Sequence, residues 1–360
     1  MSRARDLLSV LLSAPREAGT PGAAHARRLL AEHFTTLGFR VEEQRFRFHP
    51  ASLNAFPLFG AGLGWLTLLL IPLCTLPGPP AWAALASWVV GLSALGVLVY
   101  GTALGWSALG GGVREDANLI ATRGEEPVRR WIVAHVDTKA QGHSVVGRVI
   151  AVGVCLCSML VHTVLATLRL WGPIDTDIVA LAAALALAAC GLAARGGLRG
   201  ETVGARDNGS GLLAALVAAE AGPASGMGIL MTGAEEFGLV GARVFARAHG
   251  PQLLGAEVVN LDTLDDRGPV HVLAHDPSGA RLADAEALRL AEYMDGIRVR
   301  RRPFWIFTDS QPLAGTGAAA ITVSRLDWST LKRLHTVRDT PDGVAFRTAE
   351  LVGRSVAVAN

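Results

Sequence analysis

The sequence predicts an α/β fold, a mixed sheet flanked by helices, with two inserted transmembrane helical hairpins that make four spans. Three observations predict it. Short apolar runs of β character at 131–134, 227–232 and 257–261 each end in polar residues, as do strands of open α/β sheets that present a site at their carboxyl ends. Apolar residues at helical spacing occur between such runs, as in 212–221. Long stretches without Asp, Glu, Lys or Arg then break the pattern at 51–113, 149–168 and 178–194.

Residues 1–14 hold an apolar stretch (LLSVLLSA), but Pro15, Arg16 and Glu17 follow, so a soluble amphipathic helix is expected rather than a signal peptide. Residues 23–37 space Ala, Leu and Phe as a helix closed by Gly38, and 39–48 alternate as a strand. The stretches 56–76 and 82–104 are each long enough for a hydrocarbon core of roughly 30 Å, with Pro77, Gly78, Pro79 and Pro80 as the turn. Gly110, Gly111 and Gly112 return the chain to the soluble part, where 118–121 and 131–136 read as strands. The second hairpin is 149–168 and 178–194. The expected organisation is an N-terminal helix and strand (1–50), a hairpin (51–113), strands carrying His135 (114–145), a second hairpin (146–198) and the remainder of the soluble domain (199–360).

Composition supports the insertions: the chain is 51% hydrophobic and 18% charged, with mean hydropathy +0.37, too apolar for an ordinary soluble domain. A net charge of +2 without a basic cluster interleaved with aromatics argues against a nucleic-acid partner. An even number of spans puts the soluble parts on one side, and eight arginines precede the first span. The positive-inside rule makes that side the cytoplasm. All four cysteines fall in the apolar runs and read as small hydrophobes. His162, inside a span, reads as a neutral donor to a neighbouring helix. Gly60-x-x-x-Gly64 and Gly101-x-x-x-Gly105 permit close helix approach.

The chemistry-bearing residues are His135, Asp207, Glu236, Asp262 and His335, with Glu235 beside the third. Two imidazoles and three carboxylates suit a pair of zinc ions sharing one carboxylate. Two Zn²⁺ bring four positive charges and three carboxylates remove three, which leaves charge to acidify a bound water. Neighbouring residues leaving a strand point different ways, so Glu236 can ligate while Glu235 takes the water's proton. Asp137, two beyond His135, shares its face and can hold the other imidazole nitrogen.

The ordered series His135-x-Asp137, Asp207-Asn-Gly-Ser-Gly211, Glu235-Glu236-x-Gly-Leu239, Asn260-x-Asp262 and His335-Thr-x-x-Asp339-Thr340 closely resembles metallopeptidase family twenty-eight, which includes aminopeptidase Y, bacterial leucyl aminopeptidase and glutamate carboxypeptidase. The resemblance covers 23–48 and 114–360 apart from the insert between Val146 and Arg199. It implies a zinc-aminopeptidase-like sheet and two Zn²⁺ per chain, with Asp207 bridging and a cis peptide to Asn208. By the same resemblance, Glu236 and His335 hold one ion, His135 and Asp262 the other, Glu235 is the general base and Asp137 supports His135. The chain departs from the family where Arg206 replaces a frequent acidic residue and where 308–312 lacks a His.

The expectation is a membrane-integrated dizinc peptidase, an aminopeptidase acting on peptide substrates from the cytoplasmic side, with its site near the lipid bilayer. The alternatives are a single-zinc glutaminyl-cyclase-type cyclotransferase and a silent scaffold. Specificity loops are expected around 305–312 and Trp328.

Overall fold

A computed structural model describes residues 3–103, 112–223, 225–301 and 306–357. Leu104, Gly105, Gly110, Gly111 and Trp305, to which expectations were attached, lie outside the described residues. The chain divides into two compact units, one of 1–48, 113–140 and 200–360, the other of 49–112 and 141–199.

The first unit begins with α1 (Arg3–Leu11) and α2 (Pro21–Thr36), then β1 (Arg40–Phe48). Helix α2 starts where the Thr20 hydroxyl accepts the Ala23 N–H and Pro21 fills the first turn, and it ends before Gly38 at φ 81°. The unit resumes with β2 (Arg114–Thr122) and β3 (Arg130–His135).

Among the described residues the second unit holds four long helices: α3 (Ala55–Thr75), α4 (Ala83–Ala103), α5 (Val145–Leu168) and α6 (Thr176–Ala194). All four are long and apolar enough to cross a membrane, with mean hydropathies from 1.8 to 2.3. Leu63, Leu70, Trp88, Cys155 and Ala189 share their buried centre. A Cβ on Gly60 would lie 2.7 Å from the Cys190 carbonyl, so the first glycine pair sits against α6. The His162 ring lies against Trp88 and its Nδ1 is 2.8 Å from the Ser158 carbonyl. It therefore bonds within its own helix, because the i−4 carbonyl is within its reach, and its Nε2 has no partner on a neighbouring helix among the described residues. Cys155 is buried and Cys157 exposed, on different faces of α5, and all four cysteines are free.

The first unit then continues through α7 (Gly211–Ala221), β4 (Met227–Thr232), α8 (Val240–Leu253), β5 (Glu257–Leu264), β6 (Val270–Ala274), α9 (Pro277–Ala291), β7 (Ile297–Arg301), α10 (Ser310–Ala314), β8 (Ala319–Arg325), α11 (Trp328–Leu331) and α12 (Arg347–Ala357). Its eight described strands form one mixed sheet in the order β1-β2-β4-β3-β5-β8-β6-β7. The centre, β4, β3, β5 and β8, is parallel, while β2 and β6 join it antiparallel. Successive residues of β3 serve opposite faces. Ile132 and Ala134 pack with Leu212, Leu216, Val352 and Val356, and Trp131 and Val133 pack with Phe245 and Leu253. Helices thus cover both faces, as a buried parallel centre requires.

Candidate metal centre

Because β3, β4 and β5 run parallel and in register, their carboxyl ends lie side by side. His135 is the last residue of β3, Glu235 and Glu236 follow β4 through Gly233 and Ala234, and Asp262 lies near the end of β5. At Asp262 the β5–β8 register shifts, a bulge of the kind that re-aims side chains beside sites. Asp207 comes from the turn that leads into α7, and its peptide to Asn208 is cis. His335 comes from the loop after α11. Three non-glycine residues here, Ala234, Thr263 and His335, adopt left-handed φ of 50°, 54° and 59°. Such backbone persists where the surroundings over-determine it.

The five side chains form two trios that share Asp207. In one, the His135 Nε2 stands 3.1 Å from Asp207 Oδ1 and 3.9 Å from Asp262 Oδ1. In the other, the His335 Nε2 stands 3.0 Å from Asp207 Oδ2 and 3.3 Å from Glu236 Oε2. Within each trio, one donor atom per residue lies within 4.8 Å of the others. The two Asp207 oxygens thus face different trios.

Their electrostatics follow from burial and crowding. Burial alone would raise the Asp207 carboxyl, but the His135 and His335 imidazoles beside it hold it well below the usual range. Burial also works against Glu236, yet His335 and Lys139 bring it down to about 2. Asp262 is pushed up to about 6 by burial and by the charge of Asp207. Desolvation, reinforced by the carboxylates of Glu236, Asp309 and Asp262, drives Glu235 well above its ordinary range against the pull of His135.

Supporting contacts fix the trios. The Asp137 carboxylate accepts the main-chain N–H groups of Glu235 at 3.0 Å and Glu236 at 3.1 Å. The His135 Nδ1 lies 3.0 Å from the Asp137 carbonyl and 3.7 Å from its Oδ1, so Asp137 addresses the glutamate turn as well as the imidazole. Asn208 donates to the Leu261 carbonyl and accepts the Gly211 and Thr263 N–H groups, tying the Asp207 turn to β5. Asp339 accepts the N–H groups of Arg206 and Asp207, each at 3.0 Å. Arg206 fills its acidic-to-basic departure with a bond to Asp265 at 3.1 Å and to the Thr340 carbonyl at 3.0 Å. Arg16, buried, donates to the Val136 and Val203 carbonyls.

Two residues of the site escaped sequence reasoning. Lys139 is buried with its Nζ 2.6 Å from Glu236 Oε2. The two-residue period linking His135 to Asp137 continues to it, which is the signal that would have found it. Asp309 is buried, accepts the Thr232 hydroxyl through Oδ2, and its Oδ1 has no partner among the described residues. Desolvation pushes its carboxyl up to about 7. No sequence signal marks it beyond its place in 308–312. Of the expected specificity loops, Phe307 and Trp328 are exposed.

Solved structures share this architecture. A glutaminyl cyclase from Fimbriiglobus ruber is 18% identical with a TM-score of 0.57, covering 99% of this chain and 92% of that one. A Zn-dependent exopeptidase from Parabacteroides distasonis is 14% identical with a TM-score of 0.58, covering 98% and 95%. BSAP, a zinc aminopeptidase from Bacillus subtilis, is 13% identical with a TM-score of 0.56, covering 98% and 93%. At such identities the likeness establishes the fold, a mixed sheet flanked by helices like that of zinc aminopeptidases. No curated protein matches the chain. Residues 188–359, which carry four of the five clustered side chains, match the family model described as "Peptidase family M28".

Proposed function

We propose that the chain is a membrane-integrated zinc metallopeptidase of the M28 kind, an aminopeptidase, with Glu235 as general base. The observation that carries this reading is the placement of Asp207, whose two oxygens face separate His-and-carboxylate trios. The donor set fits zinc: imidazole nitrogen and carboxylate oxygen are its ordinary non-thiolate ligands, and Glu236 Oε1 is a buried acceptor without a partner among the described residues. His135, Asp207 and Asp262 would hold one ion, and Asp207, Glu236 and His335 the other. Bound zinc supplies Lewis acidity that lowers the pKa of water and polarises the scissile carbonyl.

The protein's own groups do the rest. Glu235, adjacent to a ligand but outside both trios, takes the attacking water's proton on a carboxylate oxygen and passes it to the leaving amine as the amide C–N bond breaks. Its raised pKa moves it toward the operating pH, where a base can accept and return a proton. Asp137 holds the backbone of Glu235 and Glu236 and so fixes the angle between base and ligand.

The membrane reading rests on exposed apolar surface. Val90, Leu160, Leu181 and Leu185 are each more than three-fifths exposed on the four helices, a cost in water that a bilayer removes. Trp82 and Trp171, both exposed, flank the helix ends where aromatic belts form. The arginine excess before the first span orients the enzyme toward the cytoplasm. A reporter fused after Asn360 that reads out on the external face overturns that orientation.

A second reading, a single-zinc aminoacyl cyclotransferase, is favoured by the Lys139 ammonium on Glu236. The test for both uses zinc-loaded protein in detergent with aminoacyl-anilides, short peptides and an N-terminal glutaminyl peptide. Hydrolysis is expected, with Glu235→Gln lowering kcat by about 10²–10⁴-fold at unchanged zinc content. Cyclised product with one zinc per chain supports the cyclotransferase, and inactivity of both proteins with zinc bound supports a silent scaffold.

A further inference from the structure

The two trios are not chemically equivalent. Lys139 contributes a buried ammonium 2.6 Å from Glu236 Oε2 and 3.4 Å from the Glu236 carbonyl. Both side chains of the pair are nearly closed to solvent, at 6% and 4% exposure. The same Oε2 lies 3.3 Å from the His335 Nε2, so one carboxylate oxygen is shared between an ammonium and an imidazole. Among the described residues no ion pair joins Lys139 to Asp207 or Asp262, so the His135 trio carries no such resident cation.

We infer that Lys139 is a built-in competitor for the Asp207–Glu236–His335 trio, so that the His135–Asp207–Asp262 trio fills with a divalent cation first and the other fills more weakly. This rests on the metal reading of both trios. An arriving ion must either displace the ammonium from Glu236 or sit beside it. Displacement leaves a buried lysine short of a partner, and coexistence adds like-charge repulsion where screening is weak. Either route lowers affinity at that trio and leaves the other nearly untouched. Lys139 thereby becomes a positioning residue that sets how many ions the centre holds at a given zinc level.

The test is a zinc titration of chelator-stripped full-length protein in detergent, followed by calorimetry, with the metal content of dialysed samples measured separately. Wild type is expected to bind in two steps whose dissociation constants differ at least tenfold, or to retain a single ion after dialysis. Lys139→Met is expected to tighten the second step at least tenfold, or to retain two ions, with the first step unchanged as the sign of an intact fold. Lys139→Arg, which keeps the charge, is expected to retain the wild-type gap. Should Lys139→Met fail to fold, Lys139→Gln carries the same expectation. A second step that is unchanged or weakened in both neutral variants overturns the inference. Absence of zinc binding by wild type and variants alike overturns the metal reading, and this inference with it.

Discussion

Arg206 lies between two buried carboxylates at the turn that presents Asp207, reaching Asp265 at 3.1 Å and Asp339 at 3.4 Å. Truncating it leaves both acids buried without their shared cation, and breaking buried pairs this way costs about 3–5 kcal/mol. Arg206→Ala is therefore expected to unfold at markedly lower denaturant than wild type; a midpoint within error of wild type would show that the network is not structural. His135 sets a second expectation. Burial alone would lower its pKa, but Glu235, Asp137 and Asp207 around it hold it well above the ordinary histidine range. Zinc binds neutral imidazole, so uptake must release that proton, and affinity must rise as pH rises, by about tenfold per unit for each proton released. Calorimetry in buffers of differing ionisation enthalpy counts those protons, and a pH-independent affinity contradicts the prediction. Residues such as His135 and Asp262 were legible because each stands at the polar end of an apolar run. Asp309 was not, because its burial depends on a partner 77 residues away, and Lys139 offers only its spacing from His135 and Asp137, since the partner that buries it lies 97 residues away. In sequence a lone lysine or aspartate after a strand reads as solvated.

Among the elements, the four long helices were legible to within a few residues, since length and absence of charge are local properties. Their pairing was not. Gly60 advertises close approach but not to whom, and only the folded bundle shows α6 against it. A Cβ at Gly60 would meet Ala193 Cβ and the Cys190 carbonyl at 2.7 Å and the Ala194 nitrogen at 2.8 Å, two of them backbone atoms that cannot rotate away. Gly60→Val must push the helices apart, a strain of about 1–3 kcal/mol. Gly96→Val in α4, where a Cβ meets nothing within 4 Å, is the matched control. Thermal unfolding in detergent is expected to separate the two variants, and equal melting contradicts the close-packing account. At the loop end of α5, Arg169 is buried and donates to the carbonyls of Leu73, Leu76 and Pro79. Arg169 thus satisfies the end of α3 and the following turn. The sheet order was also hidden, because β2 pairs with β4 across more than a hundred residues and such registers have no local signature.

At the level of the molecule, both hairpins interrupt the sequence of the sheet-bearing unit, yet all five clustered side chains belong to that unit and none to the helical one. A ligand that binds only the folded form stabilises what it binds, by about 4 kcal/mol when its free concentration is a thousand times its dissociation constant. For a unit of this size, each kcal/mol moves the melting temperature by about 2–4 °C, so stripping zinc should lower its transition by roughly 8–16 °C. The helical unit contains none of the five residues, so no direct linkage to zinc is expected of it. Hydrogen exchange resolves the two, because peptides from 205–264 report the sheet-bearing unit and peptides from α3–α6 report the helices. Chelation is expected to speed exchange in the first set well before the second. Equal acceleration in both sets would mean that the two units unfold as one cooperative body, and that the metal centre stabilises the helices as much as the sheet that carries it.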